Sequence, residues 1–205
     1  MIEFRGRSVQ LTEIDDVTLS RLDHRLEQRA TEAGLLDVAF RTIDSPVGPL
    51  LLAATPLGLV RVAYQREGHD AVLQALANKI SPRILAAPRR LDEAARQVEE
   101  YFAGHRTAFD IALDLRLSAG FRHTVLDHLA AISYGHTESY AEVAAATGHP
   151  GAVRAVGSAC ATNPLPVVVP CHRVVRSDGS LGGYLGGLEV KRTLLELEAA
   201  AARTS

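Results

Sequence analysis

The stretch "TESYAEVAAATGHPGAVRAVGSACATNP", residues 137–164, is cut by its own punctuation into two short helices. Ser139 followed three residues later by Glu142 is a capping box, which predicts a helix starting at Tyr140. Gly148 and Pro150 end it, because glycine accepts the left-handed conformation at a helix C-terminus and proline cannot continue a helix. A second helix is expected from about Gly151 to Ala161, where Asn163-Pro164 halts it. Two short helices joined by a tight turn make a helix-turn-helix candidate. The second of them is mostly Ala, Gly, Ser and Val, with Arg154 as its only long polar side chain.

The first half follows a different pattern. From Leu36 onward, "DVAFRTI", "PLLLAAT" and "LVRVAY" are short apolar runs separated by "SPVG" and "PLG", and read as two or three antiparallel strands. "HDAVLQALANKI" and "LDEAARQVEEYFAGH" are expected as helices, the second with Val98, Tyr101 and Phe102 on its apolar face and Gly104 as its stop. "AFDIALDL" is expected as a further strand. Residues 121–132 place Val125, Leu129 and Ile132 on one helical face, and a last helix runs from Leu188 to about Ala201. Residues 17–33 read as an amphipathic helix with Leu19, Leu22 and Leu26 near helical spacing, inside an extension of residues 1–35. The expected class is α/β (α+β): an α/β sheet domain over residues 36–116, then a mainly helical domain over residues 117–205.

Composition narrows function. With 205 residues, 47% hydrophobic and 22% charged, the chain has the balance of a globular protein. No apolar stretch reaches the ~18 residues needed to span a bilayer, so no membrane partner is expected. The acidic, polar N-terminus does not read as a secretory signal, and the expected location is the cytoplasm. Cys160 and Cys171 are the only thiols, and neither C-x-x-C nor H-E-x-x-H occurs, so no metal is expected. "GSLGGYLGG" does not fit G-x-G-x-x-G, and no cofactor is expected. The net charge of −2 gives no global attraction to nucleic acid. Residues 143–177, however, hold no Asp or Glu and do hold Arg154, Arg173 and Arg176.

That cationic segment contains "PVVVPCHRVV". A cysteine behind three valines is ordinarily a small buried hydrophobe. Here Pro170 ends the expected strand, placing Cys171 at its mouth, and His172 follows at once. A neighbouring imidazole can hold a sulfur as thiolate below the free value of ~8.5. Adjacent strand residues face opposite ways, so His172 serves Cys171 only if the chain turns there. Packing and reactivity both stand. Arg154 is either a solvated helix residue or a wedge that enters a base stack from a helix of small residues. Tyr140 and Tyr184 are either core aromatics or partners of a base. His149, His136 and Cys160 are most simply turn or packing residues.

Residues 139–198, with "NPLPVVVPCHRVV" and the Gly-Tyr-x-Gly-Gly loop in register, closely resemble the O6-alkylguanine-DNA alkyltransferases. The likeness covers roughly residues 121–198. It extends more weakly over "DSPVGPLLLAATPLGLVRVAY", which is similar to the family's ribonuclease-H-like N-terminal sheet domain. Residues 1–35 lie outside it. The resemblance implies repair of DNA by direct damage reversal. A helix-turn-helix enters the minor groove, the damaged guanine rotates out, and a cysteine takes the alkyl group irreversibly, once per molecule. By the resemblance Cys171 is the acceptor, His172 the base acting through a water, and Glu198 the carboxylate orienting His172. Arg154 fills the vacated stack, Tyr140 serves the extruded base and the turning phosphate, and Asn163 buttresses the turn. Tyr184, Gly183 and Leu185 wall the pocket, while Ala141, His149 and Ser177 meet the DNA backbone. The implied partner is double-stranded DNA containing O6-alkylguanine, met by a monomer.

The chain departs from the family at Leu126, where tryptophan is frequent, and at Ser133, where proline is. Leu185 replaces a small or polar residue, which bears on how bulky an alkyl group fits. Two other readings stand beside the resemblance: a non-catalytic DNA binder of the same fold, which would lack the cysteine, and a thiol hydrolase using Cys171, His172 and Glu198, which would not need Arg154.

Overall fold

The computed structural model describes residues 15–202. Residues 1–14 of the extension and the side chain of Leu19 lie outside the described residues. Helix α1 (Asp16–Glu32) opens the described chain, with the Asp15 carboxylate accepting from the Thr18 N–H at 2.7 Å as its cap. Leu22 and Leu26, expected on its apolar face, are 48% and 53% exposed. The face turned to the fold carries Ala30 and Glu27 instead.

Strands β1 (Val38–Ile43), β2 (Leu50–Thr55) and β3 (Gly58–Tyr64) form the expected antiparallel meander. A fourth strand, β4 (Ile84–Ala86), runs parallel to β1 and completes the order β3-β2-β1-β4. Leu50 to Ala53 of β2 are all buried, because that strand is interior and covered on both faces. Alternation, interrupted in β3 by a register shift opposite Ala53 and Ala54, sends Val38, Leu51, Ala53, Val60 and Ala63 to one face, where Val72 and Leu76 of α2 (His69–Lys79) cover them.

The other face, with Leu50, Leu52, Leu59 and Val62, continues unbroken into the helical half. Its core includes Val98 of α3 (Asp92–Phe102), Leu129 of α4 (Phe121–Ala131), Val143 of α5 (Tyr140–Ala146) and Val156 of α6 (Val153–Ala161). Leu194 of α7 (Leu188–Ala202) closes it. Leu126 lies in this core, 1% exposed.

"AFDIALDL" is not a strand. Only Leu59 and Leu113 bridge, through Leu59 N–H to the Ala112 carbonyl and Asp114 N–H to the Leu59 carbonyl, both 2.8 Å. Backbone groups that would extend the ladder go to a side chain instead: the Gln97 amide donates to the Asp110 carbonyl at 2.9 Å and accepts from its N–H at 2.8 Å. Gly58 is required at the bridge, since a Cβ there would overlap the Ala112 backbone. Among the described residues no helix is long and apolar enough to cross a membrane.

Candidate active site

The capping box predicted for α5 is present: Ser139 Oγ accepts from the Glu142 N–H at 3.2 Å, and Glu142 Oε2 accepts from the Ser139 N–H at 2.6 Å. Thr147 to Ala152 make the turn into α6, which begins two residues later than its sequence suggests. A short parallel pair, β5 (Glu138–Ser139) with β6 (Val174–Val175), ties this helix-turn-helix to the chain beyond Cys171.

Residues 166–169 are not the strand their valines suggest. Asn163, fully buried, supplies the bonds a neighbouring strand would have supplied. Its Oδ1 accepts from the Leu165 N–H at 2.9 Å, while Nδ2 donates to the Val169 carbonyl at 2.8 Å and to Cys171 Sγ at 3.1 Å. Val167 sits at φ 73°, a left-handed conformation that costs a β-branched residue about 1–3 kcal/mol. Strand β3 clamps the turn, with the Val62 N–H and Arg61 Nη1 both donating to the Pro164 carbonyl, at 2.9 and 3.2 Å.

Past Pro170 the chain winds into a 3₁₀ turn, Cys171–Arg173, so it does bend at the Cys-His pair. The sulfur is not at an open mouth: Cys171 is 1% exposed. Burial pushes its thiol up to about 11, against the pull of the Asn163 amide, the Lys191 ammonium and the Tyr184 hydroxyl. An exposed, already ionised thiolate is therefore not the resting state. Lys191 is buried as well, donating to the Val174 carbonyl, and burial lowers its own pKa.

Behind the sulfur, Glu198 accepts from His172 Nε2 at 2.9 Å, the Tyr101 hydroxyl at 2.8 Å and the Gly135 N–H at 3.0 Å. Arg173 adds Nε and Nη2 at 2.9 Å each. Burial would raise the Glu198 carboxyl, but bonds from His172 and Arg173 outweigh it and hold the group at about 2. Burial keeps His172 below the usual histidine range, since Arg173 already answers much of the Glu198 charge. With Glu198 ionised, Nε2 must be the donor of a neutral ring, which leaves the lone pair on Nδ1. That atom is buried and has no partner among the described residues. Such an imidazole is a proton acceptor.

Tyr140, Arg154, Gly183, Tyr184 and Leu185 line one cavity of about 570 Å³ together with Arg176. Tyr184 also stands edge-on to the His172 ring, with centroids 6.5 Å apart, so it borders both the cavity and the Cys-His turn. Burial pushes the Tyr140 phenol up to about 12, which keeps it a hydrogen-bond donor. Arg154 is exposed on α6, and Ala141, His149 and Ser177 are exposed as well. His149 also packs edge-on against Phe121, with centroids 5.1 Å apart. A larger cavity, about 670 Å³, meets the turn from behind through Val168, Pro170 and Arg173.

Three network members escaped the sequence reading in this role. Tyr101 was placed on an apolar face, Arg173 only in a cationic segment, and Lys191 not at all. One signal was available for Lys191: it lies three and seven residues before Leu194 and Glu198, so all three share the buried face of α7.

Comparison with known proteins agrees with this geometry. The ribonuclease-like domain of 6-O-methylguanine DNA methyltransferase matches residues 38–115, and the DNA-binding domain of that family matches residues 120–200. A methylated-DNA–protein-cysteine methyltransferase of Mycobacterium tuberculosis is 43% identical over 167 residues, covering 78% of this chain and 92% of its own length. The constitutive enzyme of that name from Bacillus subtilis is 37% identical over 163 residues, covering 78% and 94%. The crystal structure of Mycobacterium tuberculosis OGT in complex with DNA superposes with a TM-score of 0.71 at 41% identity, over 80% of this chain and 94% of that one. A sheet domain, a helix-turn-helix and a buried cysteine turn define the class of DNA-repair methyltransferases. The chain belongs to the 6-O-methylguanine DNA methyltransferase family, the O6-alkylguanine-DNA alkyltransferases, and α1 is an addition outside the matched domains.

Proposed function

We propose that the chain repairs alkylated DNA by moving the methyl group of O6-methylguanine onto its own Cys171, once per molecule. The observation that carries this reading is the pairing of a sulfur held by Asn163 with a neutral His172 whose Nδ1 lone pair is unengaged. Cys171 passes its proton to Nδ1 through a bridging water, and the sulfur attacks the methyl carbon in line with the C–O6 bond. The S–C bond forms, the C–O6 bond breaks and its electron pair stays with guanine. Guanine takes up at N1 the proton that the thiol gave away. The Tyr140 hydroxyl meets the charge developing on the leaving base. Because burial pushes the resting thiol up to about 11, ionisation belongs to the complex rather than to the free protein. No cofactor enters the balance, and the thioether product does not hydrolyse, so each chain acts once.

The base reaches the sulfur by leaving the stack and entering the 570 Å³ cavity, which Tyr184, Gly183 and Leu185 wall. Arg154 projects from a helix whose small residues let its backbone approach the minor groove, and takes the vacated place. Ala141, His149 and Ser177 meet the DNA backbone, and Asn163 holds the turn. The chain acts as a monomer on duplex DNA.

Peptide mass spectrometry after exposure to an O6-methylguanine duplex tests this. One methyl on the peptide holding Cys171 is expected, and none in Cys171→Ala, which still binds DNA. An adduct on Cys160, or no adduct at all, overturns the reading.

A further inference from the structure

Tyr101, on the buried face of α3, belongs to the sheet domain and reaches across the core to a carboxylate of α7. Its ring is wedged among Phe102, Phe109 and Tyr134, with centroids 5.3, 5.4 and 6.0 Å away. Three aromatic neighbours thus hold the ring, and its hydroxyl lies 2.8 Å from Glu198 Oε1. An ionised carboxylate only accepts, so Tyr101 is the donor.

That oxygen is the one His172 uses. Glu198 Oε1 also accepts from His172 Nε2 and Arg173 Nη2, at 2.9 Å each, while Oε2 takes the Gly135 N–H and Arg173 Nε. Three donors within 2.9 Å therefore share the charge on Oε1. The Tyr101 oxygen itself is 3.5 Å from Nε2, at the outer limit of a bond. The other charged and titratable groups nearby are turned elsewhere. Lys191 donates to the Val174 carbonyl, Cys171 Sγ accepts from the Asn163 amide, and the Tyr184 hydroxyl is 2.7 Å from that of Tyr64. The Tyr134 ring lies 5.7 Å from the Arg173 guanidinium, and its hydroxyl has no partner among the described residues.

We infer that Tyr101 is a positioning residue for His172: by donating to the Glu198 oxygen that His172 also bonds, it draws off part of the carboxylate charge and keeps the imidazole neutral, with Nδ1 free for the Cys171 proton. This rests on Cys171 being the alkyl acceptor. Tyr101 touches neither base nor sulfur and acts only through Glu198. Without its donation Oε1 has more charge to offer His172, and the imidazolium forms at higher pH. The sheet domain thereby sets the working pH of a base carried by the helical domain.

Tyr101→Phe keeps the aromatic packing and removes only the oxygen. In single-turnover transfer from a methylated duplex, the acid limb of its rate–pH curve should move up by about one pH unit, the scale of one hydrogen bond to a charged group. On that limb the variant should be about tenfold slower, and on the plateau at higher pH within about twofold of wild type. Loosened packing alone would slow transfer equally at every pH. Such a uniform loss overturns the inference, and so does a curve superimposed on wild type. Tyr134→Phe is the control, since it takes from the same aromatic cluster an oxygen that Glu198 does not use. Its curve should stay with wild type, and a shift equal to that of Tyr101→Phe overturns the inference too. If wild type places no methyl on Cys171, the parent reading has failed instead. The ring-nitrogen NMR signals of His172 in the free protein, assigned with His172→Gln and followed against pH, then decide. A titration moved up in Tyr101→Phe supports the role of Tyr101, and coincident titrations end it.

Discussion

Glu198 gathers five hydrogen-bonding donor groups while 1% exposed, so its charge state and that of its neighbours are bound to folding. Its carboxyl falls from an ordinary 4.5 to about 2 in the folded chain. A group depressed in this way stabilises the native state above its unfolded value and loses that contribution as pH falls toward the folded one. His172, depressed by burial from 6.5, acts in the same direction from higher pH. Stability should therefore decline on acidification from about pH 6.5 downward, with roughly 3 kcal/mol from Glu198 lost below pH 4.5. Glu198→Gln leaves the Arg173 guanidinium buried without its carboxylate, at a cost of about 3–5 kcal/mol. It should lower Tm at neutral pH and flatten the acid decline, as thermal melts across pH 3–7 would register. An unchanged acid slope in the variant would contradict this account of the network.

At the scale of elements, local chemistry decided what could be read from the sequence. Helix α5 starts at Tyr140 because Ser139 and Glu142 satisfy each other's backbone N–H groups, a pattern visible in four consecutive residues. The valine run looked like a strand because its apolar character is genuine. Its path is set instead by the Asn163 side chain, whose bonds to Val169 and Cys171 no periodicity reveals. "AFDIALDL" failed for the same kind of reason, through Gln97. Strand β4 has only three residues, too few to show alternation. Helix α6 carries the functional test at this scale. If Arg154 serves to hold the duplex open, Arg154→Ala should slow reaction on a methylated duplex by about tenfold or more, as expected for a lost wedge. Reaction with free O6-alkylguanine base should stay within about twofold. Equal losses on both substrates, followed by single-turnover kinetics, would remove Arg154 from that role.

At the scale of the whole molecule, the larger core runs from one face of the sheet to α7, and the site is assembled across it. Cys171, His172, Asn163 and Arg154 lie in one stretch of sequence, and a motif placed them. Tyr101 comes from α3, Glu198 and Lys191 from α7, and the clamp on the turn from Arg61 and Val62 of β3. Of these, Glu198 was legible only through resemblance, since its partners are brought to it by the fold. The burial of Cys171 was not legible either. A cysteine before a histidine carries no sign of whether a loop covers it. That burial pushes the thiol up to about 11, against the pull of the Asn163 amide. The most direct measurement adds increasing amounts of protein to a fixed excess of O6-methylguanine duplex and counts repaired bases at completion. A repaired base for every chain added, then no further reaction, is the result predicted. Repair that outruns the protein, with free Cys171 recovered at the end, would contradict it.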